Sequence, residues 1–129
     1  MADSVAPQLR LPQEDVLQPA LPPQAIPGLP STASARILAL LRAEPAVREV
    51  WLYGSRAMGR HRPGSDIDLT LVAPELRHPD RLRLMAALDD LLLPWSIDLS
   101  LHHELPDCLR DHVARVGLRL VPASPPPAP

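Results

Sequence analysis

The stretch YGSRAMGRHRPGSDIDLTLV, residues 53–72, decides how the chain is read. Its second half alternates: Ile67, Leu69 and Leu71 fall in one phase, and Asp66, Asp68 and Thr70 in the other. Period-two alternation marks a half-buried strand, expected over Asp66–Ala73, so Asp66 and Asp68 should project from one face as near neighbours. Two carboxylates that close repel, and each raises the other's pKa unless a cation lies between them. Just upstream, Gly54-Ser55 follows the strand-like run VREVWLY (47–53) and precedes a short helical segment. Glycine admits a phosphate close to the backbone, and the Ser55 hydroxyl adds a donor. Arg56, Arg60 and Arg62 bring positive charge to the same segment.

Further along, SIDLSL (96–101) alternates again, with Asp98 in the polar phase. If this strand pairs beside 66–73, a third carboxylate joins the first two. Three carboxylates in one patch suit Mg²⁺, a hard ion that takes oxygen ligands and leaves positions for water and phosphate. Zinc would want nitrogen or sulfur. His102, His103, Cys108 and His112 lack paired ligand spacing, and His102 and His103 point to opposite sides of a strand end. His61 reads as a surface residue, and Trp51 and Trp95 as core or rim packing.

Around these strands lie helices. Ser31 is expected to cap one over about Thr32–Glu44, closed by Pro45, and Leu82, Met85, Leu88, Leu92 and Leu93 give an apolar side to another over 80–93. A short helix near 107–115 leads across Gly117, in the C′ position, to a last strand, LRLV (118–121). The expected fold class is α+β, a small domain with a mixed sheet and helices packed on one face.

The 129 residues allow one domain, expected over residues 31–122. Of 18 prolines, seven lie within residues 1–30 and five in the last eight, so neither end should fold alone: 1–30 reads as a Pro-rich disordered arm, with docking in extended form on a surface as the alternative, and 123–129 as a Pro-rich tail. All 13 basic residues are arginine, which excludes Schiff-base and P-loop lysine chemistry. Net charge is −2, and residues 31–122 balance twelve arginines against twelve acids, so no basic stripe marks a nucleic-acid binder. A single cysteine, with no signal-peptide pattern and no apolar run long enough to span a bilayer, sets the expectation of a cytoplasmic protein.

Gly54-Ser55, ten intervening residues, Asp66-x-Asp68 and a later Asp98 together resemble the active site of the DNA polymerase β-type nucleotidyltransferases. More narrowly, GSRAMGRHRPGSDIDLTL resembles the minimal nucleotidyltransferases, the MntA-type antitoxins, and ELPDCLRDHVARVGLRLV (104–121) is similar to their closing helix, glycine and strand. The resemblance implies metal binding by Asp66, Asp68 and Asp98, with Asp98 also helping to activate the attacking hydroxyl. It implies phosphate binding at Gly54 and Ser55, with Arg56 as a further nucleotide-binding candidate. The implied reaction is transfer of AMP from ATP to a tyrosine of a partner HEPN-domain toxin, an RNase that is thereby silenced. Two other readings use the same fold: a non-catalytic module that masks the toxin, and a small-molecule adenylyltransferase of the antibiotic-modifying kind. The latter usually carries an added helical domain, for which this chain is short.

Overall fold

The computed structural model describes residues 26–122, so the readings of 1–25 and 123–129 lie outside the described residues. Helix α1 spans Ser31–Arg42. Its cap is Pro30 rather than Ser31, because the amides of Ala33 and Ser34 both donate to the Pro30 carbonyl, at 3.0 and 3.1 Å. Strand β1 (Glu49–Tyr53) runs directly into the single-turn helix α2 (Gly54–Ala57), and β2 (Ile67–Val72) follows a loop. Helix α3 (His78–Asp89) starts with Pro79 in its first turn, where a missing amide does no harm, and the Asp80 carboxylate accepts from the Arg77 amide at 2.9 Å. Strand β3 (Ile97–Leu101), helix α4 (Asp107–Val116) and strand β4 (Leu118–Val121) complete the order.

Helix α3 ends four residues before the expected 93. The leucine pattern continues, but the chain turns at Asp90, and Leu92 adopts φ 55° with 88% of its surface exposed. Leu82, expected on the apolar side, is also exposed. Gly117 is extended (φ −66°, ψ 149°) rather than left-handed. It is needed for space: an added Cβ would collide with the Val113 carbonyl and stand 3.0 Å from the Trp51 ring.

The strands form one sheet in the order β3-β2-β1-β4, antiparallel except for the parallel β2–β3 pair that α3 connects. The registers pair Leu52 with Leu69, Val50 with Leu71, and Leu69 with Leu99, so one face is continuous hydrocarbon. Ile37, Leu38 and Leu41 of α1 and Leu84 and Leu88 of α3 pack on that face and share its buried core. Each such leucine or isoleucine taken from water contributes about 1.5–3 kcal/mol. The opposite face carries Tyr53, Asp68, Thr70, Asp98 and Ser100, and the short helix α4 flanks its β1 side.

The folded unit starts earlier than residue 31. Ile26 is fully buried and Leu29 nearly so, both in the main core. Ile26-Pro27-Gly28-Leu29 forms a turn closed by the Leu29 amide on the Ile26 carbonyl at 3.1 Å, with Gly28 at φ 86°. Proline followed by a left-handed glycine is the type II pattern. The Ile26 amide donates to the buried Ser34 hydroxyl at 3.0 Å, which fixes the turn to α1.

Candidate active site

The β1–β2 register places Tyr53 opposite Asp68, and the parallel β2–β3 register places Asp68 beside Asp98. A row of Tyr53, Asp68 and Asp98 therefore crosses one end of the polar face. Asp66 lies one residue before β2, exposed at the lip of the row. Burial is the main reason the Asp68 carboxyl is pushed above the ordinary carboxylate range. The charges of Asp98 and then Asp66 push it further, and His112 opposes them. Burial likewise raises the Tyr53 hydroxyl; a hydrogen bond with Ser100 works against this, and Asp98 and Asp68 add to the rise. Tyr53 is thus a neutral phenol at physiological pH, standing beside anions.

Gly54 follows Tyr53 with φ 76°, a conformation that favours glycine. The site imposes a second demand, since a Cβ here would collide with Oδ2 of Asp68. Motif glycine and motif aspartate are in direct apposition, which explains why that one position must lack a side chain. The Gly54 amide donates to Nε2 of His112 at 3.3 Å, and the His112 ring stands edge-on to Tyr53, with centroids 6.2 Å apart and planes at 81°.

His112 therefore belongs to this site, coming from α4 at a separation of 58 residues. Sequence reasoning grouped it with Cys108, His102 and His103. Its position one helical turn after Cys108 carried no signal for a contact with the Gly-Ser turn, and Cys108 is exposed.

Arg56 corrects a second expectation. Proposed for phosphate, it is instead buried at 1% exposure, and its guanidinium is spent on backbone carbonyls: Nη1 donates to Pro27 at 2.7 Å, Nη2 to Ser65 at 2.7 Å and Nε to Ser65 at 3.3 Å. Burial holds its pKa below the usual guanidinium value. Arg60 and Arg62 are exposed in the loop between Gly54-Ser55 and Asp66. That loop is tied at several points, including Arg60 N–H to Ser55 at 2.8 Å, Arg62 N–H to the Ser65 hydroxyl at 2.8 Å, and the Trp95 indole to Pro63 at 3.2 Å. Trp95 is half-buried, as expected of rim packing.

Among the described residues, no three His, Cys, Asp or Glu side chains are gathered tightly enough to hold a metal by themselves. Asp68 and Asp98 are in register, and Asp66 stands outside them. The donors are carboxylate oxygens only, and their mutual repulsion is the feature a cation would relieve. Such a set fits a hard divalent ion that draws its other ligands from water and phosphate, and does not fit an ion that needs a complete protein cage.

Residues 35–125 match the family model "Polymerase beta, Nucleotidyltransferase", and the chain belongs to that family. Over 51 residues it is 41% identical to the probable protein adenylyltransferase MntA of Haemophilus influenzae; the match takes in 39% of this chain and 45% of that protein, so the chain spans under half the length of that relative. Among solved structures, it is similar to a toxin–antitoxin complex with AMP-PNP (28% identity, TM-score 0.59, 67% of this chain and 70% of that one). It is also similar to a tri-AMPylated Shewanella oneidensis HEPN toxin in complex with MNT antitoxin (25% identity, TM-score 0.55, 69% of each chain). No helix among the described residues is long and apolar enough to cross a membrane.

Proposed function

We propose that the protein is an antitoxin adenylyltransferase, moving AMP from ATP to a tyrosine hydroxyl on a HEPN-domain partner. The in-register Asp68–Asp98 pair, with Gly54 held against the Asp68 carboxylate, carries this reading. It is supported by the family and by the toxin–antitoxin neighbours, one with AMP-PNP and one with an AMPylated toxin.

In this reading Gly54 and Ser55 hold the triphosphate, and Asp66, Asp68 and Asp98 would hold Mg²⁺. Bound there, Mg²⁺ would neutralise the carboxylates and stabilise charge developing on the phosphate oxygens. The acceptor hydroxyl attacks the α-phosphorus, the bond to the α–β bridging oxygen breaks, and pyrophosphate leaves. Asp98 takes the hydroxyl proton. It is suited to that role because β3 is an edge strand, so its carboxylate can be approached from outside the sheet. A hollow of about 220 Å³, lined by Asp98, Ser100, His78, Arg81 and Glu104, opens there. In this reading the partner that presents the tyrosine completes the wall.

Calorimetry with AMP-PNP tests the nucleotide half of this reading. Binding should require Mg²⁺ and should be lost in the double variant D66N/D68N, whose fold is checked by circular dichroism. Equal binding with and without the ion, or by the double variant, contradicts it.

A further inference from the structure

Arg56 is a long cation sealed inside the protein within two residues of the Gly-Ser turn. Its three hydrogen bonds join segments far apart in sequence: Pro27 in the Ile26–Leu29 turn, and Ser65, the residue before Asp66. In a type II turn the central peptide is flipped, so the Pro27 carbonyl faces away from the turn's own hydrogen bond and is free to accept. Gly28 is the matching concession. A Cβ there would approach Nη1 of Arg56 to 2.6 Å and Nε2 of His61 to 2.8 Å, and its φ of 86° is one that other residues resist. Ser65 is bound on every side, its carbonyl by Arg56, its hydroxyl by the Arg62 amide and its amide by the Arg62 carbonyl.

We infer that Arg56 is a positioning residue: it ties the Ile26–Leu29 turn to the loop that delivers Asp66 and Asp68, so that this upstream turn sets the placement of the carboxylates against Gly54. All three Arg56 bonds go to backbone carbonyls, so it acts through the loop rather than on the reacting atoms. Its planar fork suits the task, because one edge of the guanidinium, Nε and Nη2, donates two N–H groups to the Ser65 carbonyl while Nη1 reaches Pro27. A lysine has a single donor centre and cannot span both. The catalytic part of the inference rests on the adenylyltransferase reading; the tether itself does not.

The test uses the full chain and two variants that disturb the tether from opposite ends, Arg56→Lys and Gly28→Ala. Amide hydrogen exchange reports on residues 62–68, and AMP transfer to the HEPN-domain partner gives kcat and KM for ATP. In both variants exchange over 62–68 should quicken by about tenfold or more while the amides of β1 and of residues 69–72 keep their protection. Transfer should lose about 10–100-fold in kcat with KM for ATP little changed, as expected when reacting groups are misplaced by under an ångström. Unchanged exchange over 62–68 in both variants overturns the tether. Faster exchange with wild-type kcat overturns the positioning role. Loss of protection throughout the sheet in both variants makes Arg56 a global packing residue and overturns it as well. A wild-type protein that transfers no AMP defeats the adenylyltransferase reading instead, and the exchange comparison then decides the tether alone.

Discussion

Asp68 is where stability and chemistry oppose each other. Its folded-state pKa is raised by burial and by its two acidic neighbours. Its contribution to folding is therefore fully favourable below the ordinary carboxylate value and is lost as pH rises through the raised one. Replacing it with asparagine removes that loss. D68N should melt above wild type at neutral pH by about 2–4 °C, after allowing for solvent screening of a half-buried group, with the gap closing toward pH 4. Mg²⁺ should raise the wild-type melting temperature and leave D68N nearly unmoved. The same variant should lose AMP transfer by on the order of 10³-fold. Calorimetric melts from pH 4 to pH 7.5, with and without the ion, check the first two statements. His112 is tested alongside. His112→Ala leaves the Gly54 amide without its acceptor and should cut kcat by about tenfold, whereas His112→Gln, which can still accept, should recover most of the loss. Where Gly54, Ser55, Asp68 and Asp98 sit on the elements was legible in the sequence, because strand alternation and a short motif fix their positions, whereas Asp66 was expected on the strand and lies one residue before it. The roles of Arg56 and His112 were not legible. No spacing rule says which way a long guanidinium turns, or which histidine meets a turn 58 residues away.

At the scale of elements, the strands were readable to within one or two residues because period-two alternation switches off at their ends. The helices were less so, since leucines continue beyond α3 into a bend that leaves Leu92 exposed at positive φ. That bend carries its own prediction. Leu92→Gly relieves a left-handed leucine and removes an exposed hydrocarbon, and should stabilise the fold by roughly 1 kcal/mol in urea titration. Destabilisation by a similar amount would mean that Leu92 packs against something in solution. Gly117 shows the reverse case: the expected residue is in place, but Trp51 and Val113 leave it no room for a side chain, and a left-handed cap plays no part.

For the whole molecule, the class was legible because alternating helices and amphipathic strands leave few arrangements for so short a chain. Where folding begins was not legible. The prolines of residues 1–30 suggested an arm without structure, yet IPGL carries the mark of a type II turn between two apolar residues, and Ile26 fills the core. A chain beginning at residue 31 should be less stable than one beginning at residue 24 by about 2–4 kcal/mol in urea melts, reflecting loss of Ile26, Leu29 and the Arg56–Pro27 bond. Equal stability would show that the turn is an ornament on a core complete without it. The site lies at the sheet's open end, and its edge strand faces outward, so chemistry should depend on the partner at this scale too.

Intact-protein mass spectrometry decides whether AMP reaches that partner. A HEPN-domain partner is incubated with the full chain, ATP and Mg²⁺, beside a D66A/D68A control. The partner should gain one or more AMP units, mapped to tyrosine, and none with the control. A partner that forms a stable complex yet gains no mass would contradict the account and leave masking by binding as the function.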